Sequence, residues 1–108
     1  MAKNGSLKTE FNLYRLGYAF CIIETPQATS SLKSVKTLYI DDLCVEESCR
    51  GQGLGKQIFQ EVCRYAKMRK IHNITLNVWC CNESAMAFYE KLGMKPQKIG
   101  MEMDIADL

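Results

Sequence analysis

The segment CRGQGLGKQIFQE, residues 49–61, places glycine at 51, 53 and 55, and an amphipathic run follows at once. Glycines let the backbone take positive φ and let a ligand approach it closely. A helix starting there offers first-turn N–H groups with no internal partner, and its dipole adds partial positive charge. Strand, glycine turn and helix together make an anion site, and a phosphate is its natural occupant. Arg50 and Lys56 add cationic side chains beside it.

Two phosphate motifs are excluded by spacing. A Walker A loop needs a second glycine where Lys56 stands. The dinucleotide fingerprint G-x-G-x-x-G needs its third glycine one place later than Gly55, and an acidic residue about 20 positions on. What remains is [Q/R]-x-x-G-x-[G/A], met by Arg50-Gly51-Gln52-Gly53-Leu54-Gly55.

Other reactive side chains are few. Asp41 and Asp42 are adjacent in the run YIDDLCV. His72 is the only histidine and falls in a turn between a helix and a strand, where an ordinary surface role is expected. Cys21, Cys44, Cys49, Cys63, Cys80 and Cys81 lack the paired C-x-x-C spacing of a zinc site. Without an export signal, reduced thiols in a cytoplasmic protein are expected, and no metal.

The elements that position these residues follow from periodicity. Residues 13–24, LYRLGYAFCIIE, read as a strand rich in aromatic and β-branched residues. Residues 25–36 are small, polar and proline-interrupted, and read as a loop. Residues 37–45, TLYIDDLCV, read as a second strand with Tyr39, Asp41, Leu43 and Val45 on one face. Leu54, Ile58, Val62, Tyr65 and Ala66 recur at helical spacing over 54–69. Residues 73–79 read as a strand and 82–92 as a helix, with Asn82 as N-cap and Gly93 just past its end. Ile99, Met101, Met103 and Ile105 alternate, so the tail reads as a closing strand. The order β-β-turn-α-β-α-β points to a mixed α/β or α+β fold with one sheet, in one domain over residues 1–108.

Composition agrees with a soluble globular chain: 47% hydrophobic and 24% charged residues, with formal charge +2. That charge is too small, and too interspersed, to imply nucleic acid or an anionic membrane. No run approaches the roughly 18 to 20 apolar residues of a membrane helix.

Three segments together resemble the GNAT superfamily of acetyl-coenzyme A-dependent N-acetyltransferases. They are the strand LYIDDLCV, the glycine turn, and NESAMAFYEKLGM, which is similar to N-x-x-A-x-x-[FL]-Y-x-x-x-G through Asn82, Ala85, Phe88, Tyr89 and Gly93. The resemblance implies an acyl-CoA N-acyltransferase fold, with acetyl-CoA as co-substrate. It implies that amides of Arg50, Gly51, Gln52, Gly53, Leu54, Gly55 and Lys56 hold the pyrophosphate. The pantetheine arm would pair with the backbone of Leu43, Cys44 and Val45. Asn82, Ala85 and Phe88 would line the cofactor, and Tyr89 would protonate the departing sulfur.

A lysine-like amine has pKa about 10.4, so deprotonating it at pH 7 costs about 4.6 kcal/mol. A carboxylate reached directly or through water can take that proton. The run YIDDLCV resembles the YLED-type strand of diamine N-acetyltransferases, with Asp41 at the position of the proposed base. A water relay compensates for its shorter side chain. Asp41, Asp42, Glu46 and Glu47 form an acidic lip suited to a cationic acceptor. The acceptor class is a primary amine of a small molecule or a peptide.

Members of this superfamily usually carry a strand and two helices before the matching segment, and residues 1–12 are too few for them. The expectation is an N-terminally abbreviated fold whose bare sheet edge pairs with a second copy, as a homodimer. Two other readings stay open: a non-catalytic acyl-CoA-binding or interaction module, and an incomplete enzyme needing a partner chain.

Overall fold

The computed structural model describes residues 5–13, 16–25, 35–46, 51 and 53–108. The expected loop over 25–36 lies almost wholly outside them. The chain forms two compact units, Met1–Asn77 and Val78–Leu108. The mixed α+β character expected from the sequence is what is observed.

The first unit is a four-stranded sheet covered by one helix. Strands β1 (Gly5–Leu13), β2 (Gly17–Thr25) and β3 (Thr37–Val45) are antiparallel neighbours, and β4 (Asn73–Thr75) adds parallel to β3. Strand β1 was not expected: the reading over 13–24 placed the first strand too late and as one element. Its signal was present in the alternation Leu7, Thr9, Phe11, which register puts beside Ile23, Cys21 and Ala19. The edge of β2 taken to be bare is therefore occupied by β1.

Helix α1 (Leu54–Met68) lays Ile58, Phe59, Val62 and Ala66 against the sheet residues Ala19, Cys21, Ile23, Leu38 and Ile40. All nine are 6% exposed or less. Burying each large apolar side chain is worth about 1.5–3 kcal/mol. Phe59 lies outside the spacing the sequence suggested, because the helix stripe is wider than one i, i+4 row. Phe11 of β1 meets the Tyr65 ring edge-on at 5.2 Å. Gly17 opens β2 beside the Ile58 side chain of α1: a Cβ there would stand 2.5 Å from Ile58 Cδ1 and 3.0 Å from the Cys44 carbonyl oxygen.

Strand β4 pairs with β3 from Asn73, beside Thr37, to Thr75, beside Tyr39, and stops four residues short of the expected end at Trp79. Beyond Tyr39, β3 acquires a bulge, which bends a strand and increases its twist, so a straight neighbour parts from it. Asn77 Nδ2 still donates to the Tyr39 hydroxyl at 3.2 Å.

The second unit holds helix α2 (Glu83–Lys91) and a final 3-10 turn (Ile105–Asp107). Helix α2 ends as expected at Gly93, φ 103°, with Met94 N–H bonded to the Tyr89 carbonyl and Gly93 N–H to that of Glu90. The expected closing strand does not form. Ile99, Met101, Met103 and Ile105 are all exposed, and no ladder pairs with them among the described residues. Alternation gives a strand its faces, but backbone pairing needs a partner strand.

Replacing Gly17 with valine should destabilise the first unit by about 1–3 kcal/mol, since Ile58 must leave its seat to admit the new side chain. Urea unfolding followed by far-UV circular dichroism measures the loss.

Candidate functional site

The glycine turn has the geometry of an open helix start. Gly51 and Gly53 take φ of 85° and 78°, in the left-handed region that side chains disfavour. A Cβ at either position would meet nothing within 4 Å among the described residues. Gly53 is the N-cap of α1, and no side chain caps the helix among the described residues. The first helical bond runs from Gln57 N–H to the Gly53 carbonyl at 3.0 Å. The amides of Leu54, Gly55 and Lys56 precede it and have no intrahelical acceptor. No acidic residue stands in the first turn, and the exposed Lys56 does. Arg50 and Gln52 lie outside the described residues.

Upstream, the register of β3 shifts. Cys21 pairs with Ile40 and Phe20 with Asp42, so Asp41 is an extra residue in β3. This corrects the expected face. Leu43 and Val45, opposite Ala19 and Gly17, join Leu38 and Ile40 on the α1 side. Tyr39, Asp42 and Cys44 stand on the other side with Tyr18 and Phe20. Strict alternation over 37–45 failed because a bulge adds one residue and inverts the parity beyond it. Asp41, Asp42 and Glu46 are exposed, while Leu43, Cys44 and Val45 are half-buried. No pairing with β4 reaches Leu43, Cys44 or Val45 among the described residues. Glu47, the fourth member of the expected acidic lip, lies outside them.

Tyr18, not singled out in the sequence, donates from its hydroxyl to Asp42 Oδ2 at 3.1 Å. Hydrogen bonds to Asp42 and then to Cys44, with the carboxylate's charge, push its phenol up to about 12. These bonds stabilise the neutral phenol. Their contribution to folding is complete below the ordinary tyrosine value near pH 10 and is lost as pH rises through about 12. Tyr18 is at the surface, so the effect on stability is small. The signal for this contact was the tyrosine itself, but it becomes visible only once strand register is known.

In the second unit, Asn82 is the N-cap of α2, as expected. Its Oδ1 accepts from Ala85 N–H and from the Ser84 hydroxyl, each at 3.1 Å. The two helix starts thus differ: α2 is closed by its own side chain and α1 is not. Ala85, Phe88 and Tyr89 are half-buried on α2, and the Phe88 and Tyr89 rings meet edge-on at 5.0 Å. Asp41 and the turn therefore belong to the first unit and Tyr89 to the second.

The remaining reactive groups stand apart. His72 is exposed, with its backbone N–H on the Lys36 carbonyl at 2.9 Å. Cys21, Cys44, Cys63, Cys80 and Cys81 are free thiols, and burial raises the Cys21 thiol to about 11. No group of three or more potential metal ligands is gathered among the described residues.

Known proteins are similar to this chain in sequence and in fold. The sequence profile of the Acetyltransferase (GNAT) family matches residues 12–94. Glucosamine 6-phosphate N-acetyltransferase of Trypanosoma brucei brucei is 31% identical over 67 residues, which are 62% of this chain and 44% of that protein. The chain thus spans under half the length of that curated relative. The tetramutant of the BH1408 protein from Bacillus halodurans superposes with a TM-score of 0.78 at 35% identity, covering 93% of this chain and 66% of the other. An acetyltransferase of Trypanosoma brucei gives 0.67 at 27% identity, covering 83% of this chain and 59% of the other. With the profile spanning strand, glycine turn and both helices, the chain belongs to the GNAT acetyltransferase family.

Proposed function

We propose that this chain transfers an acetyl group from acetyl-CoA to a primary amine of a small molecule or peptide. The observation that carries the reading is the start of α1, where glycines at positive φ have open space at the Cβ position among the described residues, and where the first-turn amides have no acceptor within the helix. A pyrophosphate fits that donor set. Each exposed contact with the helix dipole is worth about 0.3–1 kcal/mol, and Lys56 adds charge. Arg50, Gly51, Gln52, Gly53, Leu54, Gly55 and Lys56 would hold it, and Leu43, Cys44 and Val45 would pair with the pantetheine arm. Asn82, with its carbonyl oxygen engaged in the cap, keeps an amide donor for the same ligand.

Acetyl-CoA supplies the acetyl thioester, and the chain's work is to move two protons. A carboxylate of the Asp41–Asp42 pair takes the proton of the acceptor amine. The sequence resemblance puts Asp41 in that role, through a water. Tyr89 gives a proton to the departing sulfur, a transfer uphill by about 2 kcal/mol from the ordinary phenol and thiol values. The acidic β3 lip suits an acceptor that arrives as an ammonium ion. The curated relative's name specifies an amino sugar phosphate, which belongs in the acceptor panel beside alkyl amines.

Replacing Gly53 with asparagine keeps a residue that tolerates the left-handed backbone and fills the space above it. Acetyl-CoA affinity should fall at least about tenfold, with thermal stability changed by no more than about 1 kcal/mol. Unchanged affinity by calorimetry rules out the phosphate cradle. Tyr89→Phe should lower kcat by about 100-fold while acetyl-CoA affinity is kept. A Tyr89→Phe chain with full turnover leaves the sulfur to be protonated by something else.

A further inference from the structure

One hydrogen-bonded set on the first unit is not used by the roles above. Tyr18 stands directly opposite Cys44 across β2 and β3, and Phe20 opposite Asp42. The Tyr18 hydroxyl donates to Asp42 Oδ2 at 3.1 Å, a bond that crosses from β2 to the β3 residue just past the bulge, on the face away from α1. Holding one oxygen of Asp42 fixes the direction of the other. Asp41, the extra residue, has no ladder partner on β2 among the described residues. A proton acceptor must be held within a fraction of an ångström of its working position.

We infer that Tyr18 is a positioning residue of the transfer: it holds Asp42 across the β3 bulge so that Asp42, rather than Asp41, takes the amine's proton. The inference rests on the acetyl-transfer reading and refines its base. The amine N–H bond breaks toward the Asp42 carboxylate, and the nitrogen lone pair forms the new C–N bond. The thioester C–S bond breaks, and the sulfur leaves with the Tyr89 proton. Asp42 then returns its proton to solvent and Tyr89 takes one back. The high phenol value of Tyr18 agrees with the contact. Besides Asp41, the titratable groups that register places on this face are Tyr39 and Cys44 of β3, Glu24 of β2, and Lys8 and Glu10 of β1.

The test uses the full chain, with acetyl-CoA affinity from calorimetry and turnover on a mixture of primary amines read by mass spectrometry. Asp42→Asn should lower kcat by about 100-fold, at least about tenfold more than Asp41→Asn, with acetyl-CoA affinity kept. Added formate should restore part of the activity of Asp42→Ala. Tyr18→Phe should cost about tenfold, and Tyr18→Phe/Asp42→Asn should be no worse than Asp42→Asn alone, a coupling that a merely structural tyrosine would not show. Independently of turnover, Asp42→Asn should bring the Tyr18 phenol down from about 12 toward the ordinary range in a phenolate absorbance titration. A larger loss for Asp41→Asn, additive losses, or an unmoved phenol overturns the inference and leaves the transfer reading standing. A wild-type chain that binds no acetyl-CoA, or binds it and acetylates no amine, overturns both.

Discussion

Between Phe20 and Cys21 the ladder on β2 advances by one residue while β3 advances by two, from Ile40 to Asp42. That extra residue constrains much of the first unit. Before it, Leu38 and Ile40 face α1; after it, Leu43 and Val45 do, so the core stripe continues on odd numbers instead of even. Without the insertion, Asp42 and Cys44 would point at the buried stripe of α1, where a carboxylate is costly unless paired. The bulge thus reconciles an apolar core with an acidic strand. Pairing with β4 stops at Tyr39, two residues before the bulge at Asp41, and a bulge bends a strand and increases its twist.

The same unit shows why the helix start can remain open. Helix α1 is anchored along its length by Ile58, Phe59, Val62 and Ala66, each 5% exposed or less, so its stability does not depend on its N-cap. A side-chain cap is worth about 1 kcal/mol, small beside four buried apolar contacts of about 1.5–3 kcal/mol for each large one. Helix α2 has no fully buried residue and does carry a cap, Asn82. The helix with the stronger packing starts at a glycine with no side-chain cap among the described residues, and the one with the weaker packing is capped by Asn82.

Sequence legibility followed the range of the interactions involved. The turn, both helices, the Asn82 cap and the Gly93 end were legible, because glycine geometry and 3.6-residue periodicity act within a few positions. Strand β3 was legible to the residue at both ends. Its faces were not, since a bulge depends on the partner strand and leaves no mark in a run such as TLYIDDLCV. Strand β1 was overlooked because Lys, Thr, Glu and Asn separate its three large apolar residues, Leu7, Phe11 and Leu13. The tail failed in the opposite sense: Ile99 to Ile105 alternate cleanly, yet no pairing partner stands among the described residues. Tyr18 combines both difficulties, since its role needs the β2–β3 register before its hydroxyl finds Asp42.

On the proposed reading, the segment from β3 to α1 serves two ligands of opposite charge. Asp41, Asp42 and Glu46 are exposed and suit an ammonium ion. The start of α1, with no acidic residue in its first turn, presents the positive end of a helix dipole to a pyrophosphate. Glu46 is the carboxylate that follows β3 toward the turn, so of the three it is the nearest along the chain to the proposed anion site.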